Sequence, residues 1–219
     1  MASRYRDGVR AALAVAATVW FFGASFGLVA RAAGMGVYAP LVMSATTFAG
    51  SAQLAVSSIL GASGGAATAI TAAVLLNARY APISISVASL FHGPLPRRLA
   101  ESQLIVDESW ALSSRGGGRF DRRILIGAGL LLYVAWVSGT AVGVLAGHAL
   151  GDPKDLGLDG AFPALFLALL APQLRAPRAT VAAATGAAIA LVLIPVTPAG
   201  IPIVVASAAC LLGLRRRRP

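Results

Sequence analysis

Polar residues in this chain gather between long apolar runs. Stretches free of charge cover 11–30, 37–60, 62–78, 80–91, 124–147, 160–174, 179–197 and 199–214. Each is close to, or a little under, the roughly 20 apolar residues with which a helix spans a bilayer. The pattern predicts an all-α integral membrane protein, a polytopic helical bundle in which some helices are short or interrupted. Inside the second run, "FAGSAQ" at 48–53 sets Gly50, Ser51 and Gln53 together at mid-run. A glutamine in hydrocarbon needs a partner, and a Gly-Ser pair either breaks a helix or lets a neighbour approach closely.

Composition agrees: 58% of the 219 residues are hydrophobic, 12% are charged, and mean hydropathy is +0.79. Soluble domains carry about a quarter charged residues, so almost nothing is left for a soluble domain. The first run follows Arg4, Arg6 and Arg10 and imitates a signal peptide, but its length and the runs behind it favour a retained helix. The chain therefore reads as one transmembrane domain, 1–219.

The net charge of +10 does not point to nucleic acid, because no segment resembles a soluble basic domain with aromatics to stack bases. Most of the arginines cluster at run ends: Arg4, Arg6 and Arg10; Arg97, Arg98, Arg115, Arg119, Arg122 and Arg123; Arg175 and Arg178; and the quartet 215–218. This is the positive-inside pattern, with the quartet able to touch anionic lipid headgroups. It places both termini and the connecting loop 92–123 in the cytoplasm, and the net acidic "GDPKDLGLDG" at 151–160 outside. Two ends on one side require an even number of crossings before residue 92, yet three runs precede it. The third must then turn back, and "NARYAP" at 77–82 offers a polar patch and a proline. As one bent helix 62–91 would be about 45 Å long, against a core of about 30 Å; split at Pro82, its second arm is either a short crossing or a re-entrant arm.

A weak internal repeat relates the halves. "WFFGASFGLVA" at 20–30 and "WVSGTAVGVLA" at 136–146 share Trp, Gly, Gly and Ala at an offset of 116, and Pro82 and Pro198 keep it. Pro40 answers Pro163 and Gln53 answers Gln173 at shifted offsets. The repeats would cover 8–91 and 124–214. The interruption "IPVTPAGIP" at 194–202 separates two short helices and predicts a comparable break near Pro82. Transporters are often built from such repeats, with the substrate at their interface on interrupted helices.

Several residues carry candidate chemistry. No Asp or Glu lies inside an apolar run, so a zwitterionic substrate's ammonium would meet backbone carbonyls, Gln53, Asn77 or serine hydroxyls. Amides at a helix start near Gly50 and Ser51 would receive its carboxylate. Arg79, deep in the first half, either contacts substrate or a gate, or anchors a turn beside Tyr80 and Pro82. Gln53 either lines a polar path or makes an interhelical hydrogen bond, and Asn77 has the same two readings. Gly23, Gly27 and Gly50 read foremost as close-packing glycines. His92 and His148 could carry a proton but sit at run ends, where wet caps are expected; with no embedded carboxylate, an Asp/Glu proton relay has no candidate. Cys210 stands alone and no metal or other cofactor is expected. An enzyme is not expected: a serine nucleophile needs a neighbouring base, and Ser51 has no histidine within its run. A non-transporting membrane scaffold or assembly subunit remains the alternative.

The combination of "MSATTFAGSAQL" at 43–54, "NARY" at 77–80 and "RRLAESQLIVDESWAL" at 97–112, with an Asp-Glu pair before an aromatic, resembles the AzlC family of branched-chain amino-acid exporters. The resemblance runs from about Gly8 to Cys210; its first half is the specific part, and the second matches in hydropathy and in "APQL" at 171–174. It implies export of leucine, isoleucine, valine and related amino acids, methionine among the candidates, across the bacterial inner membrane by a multi-pass protein. It also implies a small membrane partner of the AzlD type. Ala78 departs from the longer hydrophobic residue more common there, which bears on substrate choice.

Overall fold

The computed structural model describes residues 3–116, 118–147, 167, 174, 177–197 and 201–209. Its helices are α1 (Ser3–Ala32), α2 (Tyr38–Thr46), α3 (Gly50–Gly61), α4 (Ala66–Asn77), α5 (Tyr80–Val87), α6 (Leu95–Ser102), α7 (Asp107–Ser113), α8 (Arg122–Ala146), α9 (Pro177–Leu193) and α10 (Ile201–Ala206). Among the described residues no strand forms, and three stretches are long and apolar enough to cross a membrane: Arg4–Ala32, Ala66–Leu90 and Arg122–Ala146. The expected all-α membrane fold is the observed one.

Helices α1 and α8 form the centre and run parallel, since contacts advance together along both. Gly8 faces Ile124, Gly23 faces Trp136, and Gly27 faces Thr140 and Val144. The contact is reciprocal at the offset seen in the sequence: Gly23 lies on the Trp136 carbonyl and Gly139 on that of Trp20, Gly27 on that of Thr140 and Gly143 on that of Ala24. A methyl group on Gly23 would stand 2.5 Å from the Trp136 oxygen, so only glycine lets the backbones meet. Phe26, Leu132, Trp136 and Leu54 fill the core around this seam.

The second run does not cross. At nine and 12 residues, α2 and α3 measure about 14 and 18 Å, each well short of a 30 Å core. Helix α2 begins beyond the end of α1 and descends along α8, with Ser44 at Thr140 and the Ala45 carbonyl at Tyr133. The chain reverses at Thr47–Ala49. Helix α3 then climbs back from Gly50, which faces Trp136, to Gly61, which faces Ala33 just past α1. Together α2 and α3 make a re-entrant hairpin that enters and leaves on the side where α1 ends.

This overturns the expectation that the third run turns back. Ala78 and Arg79 both keep right-handed helical angles, so α4 and α5 continue as one bent helix. Pro82 has no amide to give the Ala78 carbonyl, and its ring crowds that oxygen. The Ala81 amide takes it instead at 3.1 Å, while the Ala78 amide reaches Leu75 at 3.3 Å. The result is a tight turn where the break near Pro82 is expected, without a reversal. The helical stretch from Ala66 to Leu90 is 25 residues, about 37 Å, shorter than 62–91 because it starts four residues later. Two stretches before residue 92 are thus long enough to cross, α1 and α4–α5, with the short hairpin α2–α3 between them.

The connecting segment 92–123 is not a plain loop. Helix α7 packs on α1 and α8, and the Leu104 carbonyl sits against Gly129, a full two turns inside α8. Asp121 caps α8, accepting from the Arg123 and Ile124 amides at 3.0 and 3.4 Å and pairing with Arg4. Burial opposes ionisation of Asp121, yet these amides and Arg4 hold its carboxyl below the usual range. Farther along, α9 stops at Leu193 and α10 starts at Ile201, flanking the expected interruption. Val204 of α10 packs beside Ile59 and Ala72. Residues 151–160, Pro163, Gln173, Cys210 and the arginine quartet lie outside the described residues.

Candidate functional site: a cavity at the broken hairpin

The reversal at 47–49 exposes backbone groups that hydrocarbon cannot satisfy, and side chains from α8, the end of α6 and α3 meet three of them. Tyr133 donates to the Ala45 carbonyl at 2.8 Å and Gln103 to that of Thr46 at 2.7 Å, closing the end of α2. Gln53, fully buried, accepts from the Ala49 amide at 3.2 Å and donates to Ser44 at 3.0 Å. Thr140 gives its proton to the Trp136 carbonyl at 2.9 Å, so in the 2.8 Å contact with Ser44 it is Ser44 that donates. The interhelical hydrogen bond expected as one reading of Gln53 is present. Phe48 adopts φ +41°, a conformation costing on the order of 1–3 kcal/mol, and its buried ring, edge-on to Tyr133 at 5.2 Å, helps offset it.

What remains at the break is the start of α3. The amides of Gly50, Ser51 and Ala52 have no carbonyl one turn back, as at any helix start, and the helix dipole makes that end positive. Beside them opens a cavity of about 260 Å³, a size for a metabolite rather than a drug-sized ligand. Val15, Thr18, Val19 and Phe22 of α1 form one wall, and Leu132 and Trp136 of α8 a second. Phe48, Gly50, Ser51 and Leu54 come from the hairpin, Arg79 and Tyr80 from the α4–α5 bend, and Val106, Asp107 and Glu108 from the start of α7.

Arg79 is the cavity's cation. It donates to Ser51 at 3.1 Å, stands 3.0 Å from Asp107 and lies over the Tyr80 ring at 5.2 Å. Glu108 has no ion-pair partner within 4 Å among the described residues. Burial pushes its carboxyl above the usual range; Asp107 adds to this and Arg79 opposes it. The Trp136 indole nitrogen is buried without an acceptor. Ser51 is hydrogen-bonded to a guanidinium, which cannot take its proton, so its setting is not that of an activated nucleophile.

Of the five residues expected at a site, Gly50, Ser51 and Arg79 line the cavity, and Gln53 and Asn77 do not. The Gly50 Cα packs on the Trp136 ring, where a Cβ would stand 2.8 Å from it. Asn77 ends α4 with its buried Oδ1 unpaired. Sequence reasoning missed Asp107 and Glu108, because it looked for carboxylates inside apolar runs and these arrive from the connecting segment. Their signal is an acidic pair between Ile105–Val106 and Trp110 in a net basic stretch.

A bundle built around a re-entrant hairpin, with a charged cavity at its tip, defines a polytopic membrane protein of the kind that handles small solutes. The profile of the AzlC protein family matches residues 14–150, and the chain belongs to the AzlC family. It is 35% identical over 181 residues to an uncharacterized membrane protein of Archaeoglobus fulgidus, covering 81% of this chain and 80% of that one. It is 25% identical over 169 residues to the branched-chain amino acid transport protein AzlC of Bacillus subtilis, covering 76% of this chain and 66% of that one. No solved structure matches.

Proposed function

We propose that this protein exports branched-chain amino acids, leucine, isoleucine and valine foremost, from the bacterial cytoplasm across the inner membrane by alternating access. The observation that carries this reading is the cavity, where an apolar and aromatic lining surrounds one guanidinium, two carboxylates and a free helix start. A zwitterion with an oily side chain has the complementary features. Its carboxylate goes to Arg79 and the Gly50 and Ser51 amides, its ammonium to Glu108, and its side chain to the wall of Val15, Val19, Phe22 and Leu132. Gln53 holds the hairpin tip in shape from behind, and Asn77 ends the helix that presents Arg79. In this reading the termini and α7 face the cytoplasm, as the arginines direct, and a small AzlD-like membrane subunit assembles with the chain.

Arg79→Ala tests the site. Losing a hydrogen bond to a charged ligand group costs about 1.5–3 kcal/mol, roughly ten- to hundred-fold in affinity. Leucine efflux from preloaded vesicles should lose apparent affinity by that factor while the protein remains inserted. An inserted Arg79→Ala protein with unchanged concentration dependence places the substrate elsewhere.

A further inference from the structure

Asp107 lies where a substrate carboxylate would be. We propose that it is a built-in stand-in for that carboxylate, occupying Arg79 while the cavity is empty and surrendering it when an amino acid binds. This rests on the reading of the cavity as an amino-acid site, and it assigns Asp107 the role of a specificity-determining competitor rather than a substrate ligand.

Three features make the pair exchangeable. Arg79 and Asp107 have 43% and 42% of their side-chain surface exposed, whereas Arg122 and Glu101, paired at the start of α8, keep 24% and 13%. Neither partner of the first pair is enclosed by protein. Among the four ion pairs of the described residues, Arg79–Asp107 alone is not also aligned as a hydrogen bond. An α-carboxylate, free to turn, can take the guanidinium fork with both oxygens. Asp107 is also the first residue of α7, a helix whose opening turn is independently fixed by Ser109 accepting from the Val106 amide at 3.0 Å. A carboxylate in a helix's first turn is favourably placed even without a cation, so Asp107 has a second setting when Arg79 leaves it. Arg79 keeps Ser51 as a guide to its position at the start of α3.

The consequence runs against ordinary expectation, because removing a carboxylate from the binding cavity should improve binding. The test is equilibrium binding of radiolabelled leucine to the purified full-length chain in lipid nanodiscs, with leucinol, which lacks the carboxylate, as a competing probe. Asp107→Asn should tighten leucine about two- to five-fold, the strength of a solvent-exposed ion pair, and leave leucinol unchanged. Asp107→Ser, which also removes the charge and suits a helix start, should do the same. In an Arg79→Ala background neither change should tighten leucine. Leucine binding unchanged or weakened by both Asp107 variants, or leucinol tightened equally, overturns the inference while leaving the site in place. Failure of both variants to fold makes Asp107 a structural anchor and overturns it as well. A wild-type chain without saturable leucine binding overturns the transport reading and this inference with it.

Discussion

Gln53 and Arg79 show how two polar residues of one apolar half divide the work. Gln53 has its amide oxygen and nitrogen engaged at the hairpin tip, so Gln53→Ala leaves the Ala49 amide unpaired, a loss of about 1–3 kcal/mol. The prediction is a lower melting temperature in detergent with nearly unchanged leucine affinity in the surviving fraction. Glu108 predicts the opposite separation. Partial burial pushes its carboxyl above the usual range, and only its ionised form attracts an ammonium. Leucine affinity should therefore rise as pH climbs through that raised value, and Glu108→Gln should flatten the profile. Asp121 supplies a third case, now of stability. Its folded carboxyl titrates low, so its contribution is present above the unfolded value and lost as pH falls through the folded one. Asp121→Ala should cost about 0.5–2 kcal/mol at neutral pH, with the gap to wild type closing in acid. Thermal unfolding at two pH values reads it.

At the level of elements, the hairpin α2–α3 decides the topology. In a Cys210→Ser background, cysteines replacing Tyr38 and Ala62 should react with an impermeant thiol reagent from one side of the membrane, and a cysteine replacing Ser114 from the other. Tyr38 and Ala62 positions labelled from opposite faces would turn the hairpin into a crossing. The seam is equally exposed to test, because a methyl group at Gly27 or Gly143 meets the carbonyl of Thr140 or Ala24. Overpacking of this kind costs about 1–3 kcal/mol, so Gly143→Ala should lower yield and melting temperature. The glycine seam, the turn near Pro82 and the break beside "FAGSAQ" were legible in the sequence, since each rests on local chemistry: missing side chains, a missing amide, a polar cluster in an oily run. The position of the reversal was not. It depends on Tyr133, Gln103 and Thr140 supplying partners from 57 to 96 positions away, and nothing within 37–60 announces them. Asp107 and Glu108 were hidden for a related reason, because the docking of α7 on α8 is a tertiary fact.

For the whole molecule, the parallel and reciprocal contact of α1 with α8 fits a repeat whose two-fold axis runs along the helices. Helices α4 and α9 also end at Asn77 and Leu193, again 116 apart. We propose that the two units rock about the glycine seam during transport. Exposed apolar side chains along α4 and α5, among them Ile70, Val74 and Ile85, offer surface for lipid and for the proposed small subunit. Co-expression with an AzlD-like protein should raise leucine export; equal export by the single chain would remove the subunit from the mechanism. The most direct measurement is uptake of radiolabelled leucine into sealed inside-out membrane vesicles, in which export becomes accumulation. The proposal predicts saturable uptake that unlabelled isoleucine and valine suppress and that Arg79→Ala weakens roughly ten- to hundred-fold in apparent affinity. Vesicles containing correctly inserted protein that take up no more leucine than empty controls would contradict it.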